Sequence, residues 1–90
     1  MTSTYCSISG VVRAPDGQPV AGARVFFASG PGPFPDIAAL TDTQGRFALS
    51  ARTPGVYQIE CAAEGFAAGR ETVTALSGRQ VNVEFSLKRL

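Results

Sequence analysis

The stretch Val81-Asn82-Val83-Glu84-Phe85-Ser86-Leu87-Lys88 alternates apolar and polar residues without a break. Successive side chains of a strand point to opposite faces, so this spacing puts Val81, Val83, Phe85 and Leu87 against a core and Asn82, Glu84, Ser86 and Lys88 in water. Read upstream, the same period sends Cys6, Ile8, Gly10 and Val12 inward from a strand at about Tyr5 to Arg13. From Ala23 to Ala28 it places Ala23, Val25 and Phe27 on the core side, and Arg24, Phe26 and Ala28 on the other. Arg46 to Ala51 contributes Phe47 and Leu49, and Val56 to Ala63 contributes Tyr57, Ile59 and Cys61. Short strands near Ala38 to Thr41 and Arg70 to Leu76 bring the number to seven, with the parity of the latter open because Val73 and Leu76 fall on opposite faces.

Turn signals separate these segments at intervals of about ten residues, the pattern of a sandwich or barrel of antiparallel strands. They are Pro15-Asp16-Gly17, the Pro31-Gly32-Pro33-Phe34-Pro35 tract, Asp42-Thr43-Gln44-Gly45, Pro54-Gly55, Glu64-Gly65 and Ser77-Gly78. Asp16-Gly17 and Gln44-Gly45 suit turns that need a residue at positive φ. Asp42 is placed to accept a hydrogen bond from the amide two residues on, closing the turn between the third and fourth strands. The tract from Ala28 to Pro35 holds three prolines and two glycines around one phenylalanine. Proline lacks the amide donor a central strand requires, so this tract reads as a loop.

At 90 residues the chain has the length of one small domain, read as a single unit over residues 1–90. Hydrophobic residues make up 44% and charged residues 17%, which excludes a chain too polar to fold. The net charge is +1, and the eight basic residues are scattered rather than clustered, which argues against a nucleic-acid partner. No apolar run approaches the roughly 20 residues of a membrane helix, and no membrane association is expected. Met1 to Cys6 lacks the basic and apolar regions of a secretory signal, so the expectation is a cytoplasmic protein or one exported by a signal-independent route. Cys6 and Cys61 both point inward and lack the spacing of a metal knuckle; they read as buried thiols rather than a disulfide.

The turn residues also spell a family pattern. In order they run Ile8-Ser9-Gly10-Val11-Val12, Asp16-Gly17-Gln18-Pro19-Val20-Ala21-Gly22-Ala23-Arg24-Val25, Thr41-Asp42-Thr43-Gln44-Gly45-Arg46-Phe47-Ala48-Leu49, Pro54-Gly55-Val56-Tyr57 and Ala63-Glu64-Gly65-Phe66. This resembles the carboxypeptidase regulatory-like domain from about Ser7 to Leu87. The resemblance implies an all-β fold, a seven-stranded antiparallel Greek-key β-sandwich of transthyretin-like type. It further implies a non-catalytic folding, spacing or interaction module beside a functional partner. Lone domains of this type also occur as adaptors in bacterial secretion or contractile injection machinery, which is an alternative role.

The chain has no histidine, which removes Ser-His-Asp and Cys-His catalysis and the commonest zinc ligand. Asp16, Asp36 and Asp42 show no Asp-x-Asp spacing, so turn and capping roles are favoured over calcium. Neither a metal nor any other cofactor is expected. Hydroxyisourate hydrolysis, the activity of similar transthyretin-like enzymes, needs histidines; the similar intradiol dioxygenases hold iron with His and Tyr pairs, and only Tyr5 and Tyr57 are present here. A Lys–Asn cross-link of the kind seen in adhesin modules is also ruled out. Lys88 and Asn82 lie on one predicted strand, about 20 Å apart at roughly 3.3 Å per residue. Arg46, Arg52, Arg70 and Arg79 read as solvated strand-end charges rather than a basic patch.

A protein partner is the expectation, and the candidate surface comprises Arg24, Phe26, Pro33, Phe34, Pro35 and Asp36. An outward aromatic lies beside an aromatic in a proline-stiffened loop, and partner surfaces favour such groups. The competing reading is that Phe34 folds back to cover Phe26. A carbohydrate-binding module is a further alternative, though the chain has no Trp to build a flat platform.

Overall fold

A computed structural model describes residues 5–31 and 38–90. Among them are seven strands and no helix: β1 (Cys6–Arg13), β2 (Arg24–Ser29), β3 (Ala39–Leu40), β4 (Arg46–Ala51), β5 (Gly55–Ala62), β6 (Gly69–Ala75) and β7 (Gln80–Ser86). They form a three-stranded sheet in the order β4-β1-β7 and a four-stranded sheet in the order β3-β2-β5-β6. The period-two faces meet between the sheets. Ile8 and Val12 from β1, Val25 and Phe27 from β2, Phe47 and Leu49 from β4, and Tyr57 and Ile59 from β5 form one buried cluster with Phe85. Two aromatic pairs tie it together. Phe27 and Tyr57 lie 5.0 Å apart, and Phe47 and Phe85 5.9 Å, both tilted as ring quadrupoles prefer.

Three features differ from the sequence expectation or decide what it leaves open. The strand pairs are antiparallel except one: β1 and β7 run parallel, from Ser7 opposite Gln80 to Arg13 opposite Ser86. No hairpin joins these two strands, and β7 enters its sheet from β6 in the facing one, so a tight antiparallel turn does not dictate its direction. The second is in β6, whose parity the alternation leaves open: Val73 and Ala75 face the core, and Leu76, just past its end, is 46% exposed. The third is in the last alternating stretch: Phe85 and Leu87 are buried, whereas Val81 and Val83 are only half-buried. As the edge of its sheet, β7 has a strand on one side only. Its far end is covered where Gly69 approaches Phe85 and Leu87 and where the Ala67 amide donates to the Lys88 carbonyl at 2.8 Å.

The turns follow their residue chemistry. Gly17 and Gly45 adopt φ of +87° and +76°. Asp42 Oδ1 accepts from the amides of Gln44 and Arg46, both at 2.9 Å. The Arg46 amide, foremost, holds this carboxyl below the usual carboxylate range, although partial desolvation opposes it. Asp16 repeats the device in the β1–β2 connection, accepting from the Gln18 amide at 3.1 Å.

Cys6 and Cys61 are free, fully buried and on opposite sheets. Burial pushes the Cys61 thiol up to about 11, so little nucleophilic thiolate forms at neutral pH. Neither cysteine should react with a bulky thiol reagent in the native protein, and both should react once denaturant is added. Mass spectrometry of the labelled chain checks this, and rapid native labelling of either would place that strand in the wrong parity.

Candidate functional site

β2 positions the described part of the candidate surface. Its core-facing residues Val25 and Phe27 anchor the strand, which turns Arg24 and Phe26 to the outer face of the four-stranded sheet. Arg24 is exposed between Leu40 of β3 and Ala62 of β5. Phe26 lies opposite Glu60 and is half-buried, and Glu60 in turn meets Arg70 of β6 at 3.2 Å. The outward aromatic therefore sits beside a charged pair that spans β5 and β6.

Between Phe27 and Ser29 the β2–β5 register shifts, an irregularity of the bulge type, and pairing resumes with Ser29 opposite Gln58 at the end of β2. The exit is held from below. Gly30 packs on the Tyr57 ring, where a Cβ would collide with Cδ1, so no other residue fits without displacing the ring. The Tyr57 hydroxyl donates to the Thr53 carbonyl at 2.6 Å, and a Cβ on Gly55 would lie 2.8 Å from Pro31 Cγ. The segment that follows is thus launched from a fixed root. Pro33, Phe34, Pro35 and Asp36 lie outside the described residues.

Thr41, which the alternation did not single out, holds the chain where it returns. Its hydroxyl donates to the Val20 carbonyl at 2.7 Å and accepts from the Ala23 amide at 2.9 Å. Its own amide donates to the Ala23 carbonyl at 2.9 Å, and its carbonyl accepts from the Gly22 amide at 3.1 Å. Its place at the end of the short third strand, and at the head of the Thr41-Asp42-Thr43-Gln44-Gly45 block, was the sequence signal that could have pointed to it.

The arginines do not gather. Arg46 faces Asp42 at 3.6 Å, Arg70 faces Glu60, and Arg52 stacks over Tyr5 at 5.5 Å while donating to its hydroxyl at 3.2 Å. Two shallow clefts each offer a single titratable side chain. One, lined by Gly10, Val11, Asn82 and Val83, has Glu84; the other, between β6 and the end of β7, has Lys88. Among the described residues no three His, Cys, Asp or Glu side chains converge as a metal set. No helix among them is long and apolar enough to cross a membrane.

A family model, that of the carboxypeptidase regulatory-like domain, matches residues 7–88. The chain belongs to this family. No curated protein sequence matches it. The regulatory-like domain is similar in fold to the minor pilin GBS52 of Streptococcus agalactiae, with a TM-score of 0.75 and 18% identity over 100% of this chain and 47% of the pilin. A streptococcal ancillary pilin gives 0.67 and 12% over 97% of this chain and 33% of its own. Hydroxyquinol 1,2-dioxygenase of Pseudomonas putida DLL-E4 gives 0.75 and 11% over 100% of this chain and 58% of the enzyme. The chain thus spans about half the length, or less, of the two pilins and somewhat more of the dioxygenase. At these identities the likeness is one of fold.

Proposed function

We propose that this regulatory-like domain, residues 1–90, is a non-catalytic module that binds or links other protein segments, with the Ser29 to Ile37 segment and the neighbouring face of Arg24 and Phe26 as its contact surface. One observation carries the reading: the family match occupies residues 7–88, and the motifs inside it are accounted for by turns and core rather than by a catalytic constellation. Similarity of fold to a minor and an ancillary pilin supports it. The packing of Gly30 on the Tyr57 ring supports the choice of surface, because a segment held at one end has less freedom to lose when a partner engages it.

The test compares wild type, Phe34→Ser and Glu84→Ala, each with a photoreactive cross-linker in the 29–37 segment. Phe34→Ser should leave the melting temperature nearly unchanged and lose the cross-linked product, while Glu84→Ala keeps both. A Phe34→Ser protein that no longer folds, or that cross-links in proportion to its folded fraction, would assign Phe34 to the core and overturn the proposed surface.

A further inference from the structure

The pairing of β1 with β7 has a mechanical consequence. Because the two strands are parallel, the start of β1 and the end of β7 lie at opposite ends of their shared ladder. The Ser7 amide donates to the Arg79 carbonyl at 3.0 Å at one end, and the Leu87 amide to the Arg13 carbonyl at 2.9 Å at the other. Tension applied before Cys6 and after Ser86 pulls the strands past one another along their length, so every hydrogen bond between those ends is loaded together. An antiparallel pair pulled in this way would instead open one bond at a time.

Both strands are tied so that the seam itself must carry the load. β1 is the central strand, held on its other side by β4 from Cys6 opposite Ala51 to Val11 opposite Arg46. Past β7 the chain is fastened to two connections: Leu87 is buried, the Leu90 amide donates to the Gly65 carbonyl between β5 and β6 at 3.1 Å, and Arg89 lies 5.1 Å over Phe66 and 3.7 Å from Asp16 between β1 and β2. Side chains bridge the same seam on its outer face. Gln80 Nε2 donates to Ser9 Oγ at 2.6 Å, Ser9 Oγ donates to Asn82 Oδ1 at 2.8 Å, and Arg13 meets Glu84 at 3.8 Å.

We propose that the β1–β7 seam is a shear clamp and that the domain works as a tension-bearing link between the segments flanking it. This goes beyond the binding surface proposed above and does not rest on it. The test is single-molecule force spectroscopy on the 90-residue chain in two geometries. In the first, handles are attached at the two chain ends. In the second, one handle is at the start of the chain and the other at Ser77→Cys, in the exposed turn before β7. The Gly78 amide donates to the Tyr5 carbonyl at 2.9 Å, so the second geometry opens the same ladder from one end. Cys6 and Cys61, fully buried, do not compete for the handle.

End-to-end pulling should unfold the domain at a clearly higher force than the Ser77 geometry at the same loading rate. It should do so in one step, releasing the roughly 80 residues from Ser7 to Ser86, about 290 Å of contour at roughly 3.6 Å per residue. An end-to-end force no higher than that of the Ser77 geometry would overturn the clamp. So would end-to-end unfolding in several shorter steps at low force.

Discussion

Phe85→Ala is expected to remove about 3 to 5 kcal/mol of stability, the usual cost of truncating a buried phenylalanine and a large share of the roughly 5 to 15 that hold a small domain together. The ring is 1% exposed, lies 5.9 Å from Phe47 and is close to Gly69 of the facing sheet. Three strands meet on it, and none can move inward to fill the void without breaking its own ladder. Glu84→Ala, one residue away, should cost less than about 0.5 kcal/mol, as surface changes usually do. Glu84 has an ion partner in Arg13 at 3.8 Å, but both side chains are largely in water, where such a pair contributes little. Urea denaturation of the two variants measures the contrast. Equal losses would overturn the two faces assigned to β7, and a larger loss for Glu84→Ala than for Phe85→Ala would mean that the strand sits one residue out of register, because a single-residue slip exchanges its faces.

The same pair shows what was legible in the sequence. Strand parity depends only on neighbouring residues, so Phe47, Leu49, Tyr57, Ile59 and Cys61 could be assigned to the core from alternation alone, and all are buried. Which strands lie side by side depends on residues far apart in the chain. The parallel β1–β7 pairing and the half-exposure of Val81 and Val83 follow from that arrangement, so local alternation carried no trace of them. In β6 the small Ala75 is the inward residue and the larger Leu76 lies outside, the reverse of what size would suggest. For the candidate surface, parity turned Arg24 and Phe26 outward, as found, but not the Glu60–Arg70 pair beside Phe26, which comes from two other strands. The anchoring of Gly30 by Tyr57 is likewise a contact between distant residues.

Thr41→Val tests the polar anchor that alternation missed. Valine keeps the shape of threonine but not its hydroxyl, so the exchange isolates the two hydrogen bonds to Val20 and Ala23. Thr41 is 6% exposed, Val20 8% and Ala23 0%, which leaves no bulk water to replace the lost partner. Stranding the Ala23 amide alone should cost about 1 to 3 kcal/mol, and the Val20 carbonyl loses its partner in the same step. Thr41→Ser keeps the hydroxyl and gives up one methyl, a loss of about 0.8 kcal/mol. Denaturation should therefore rank wild type, Thr41→Ser and Thr41→Val in falling stability. Hydrogen exchange at the Ala23 amide should quicken in Thr41→Val beyond its global loss of stability, and not in Thr41→Ser. Among the described residues β3 pairs with β2 only through Arg24 and Val25, so loosening Thr41 also loosens the chain from residue 38 onward that leads into it. Cross-linking from the 29–37 segment should then fall in Thr41→Val while Phe26 stays in place. If Thr41→Val and Thr41→Ser lose equal stability, the methyl is what matters, and the hydroxyl does not hold the return of the loop.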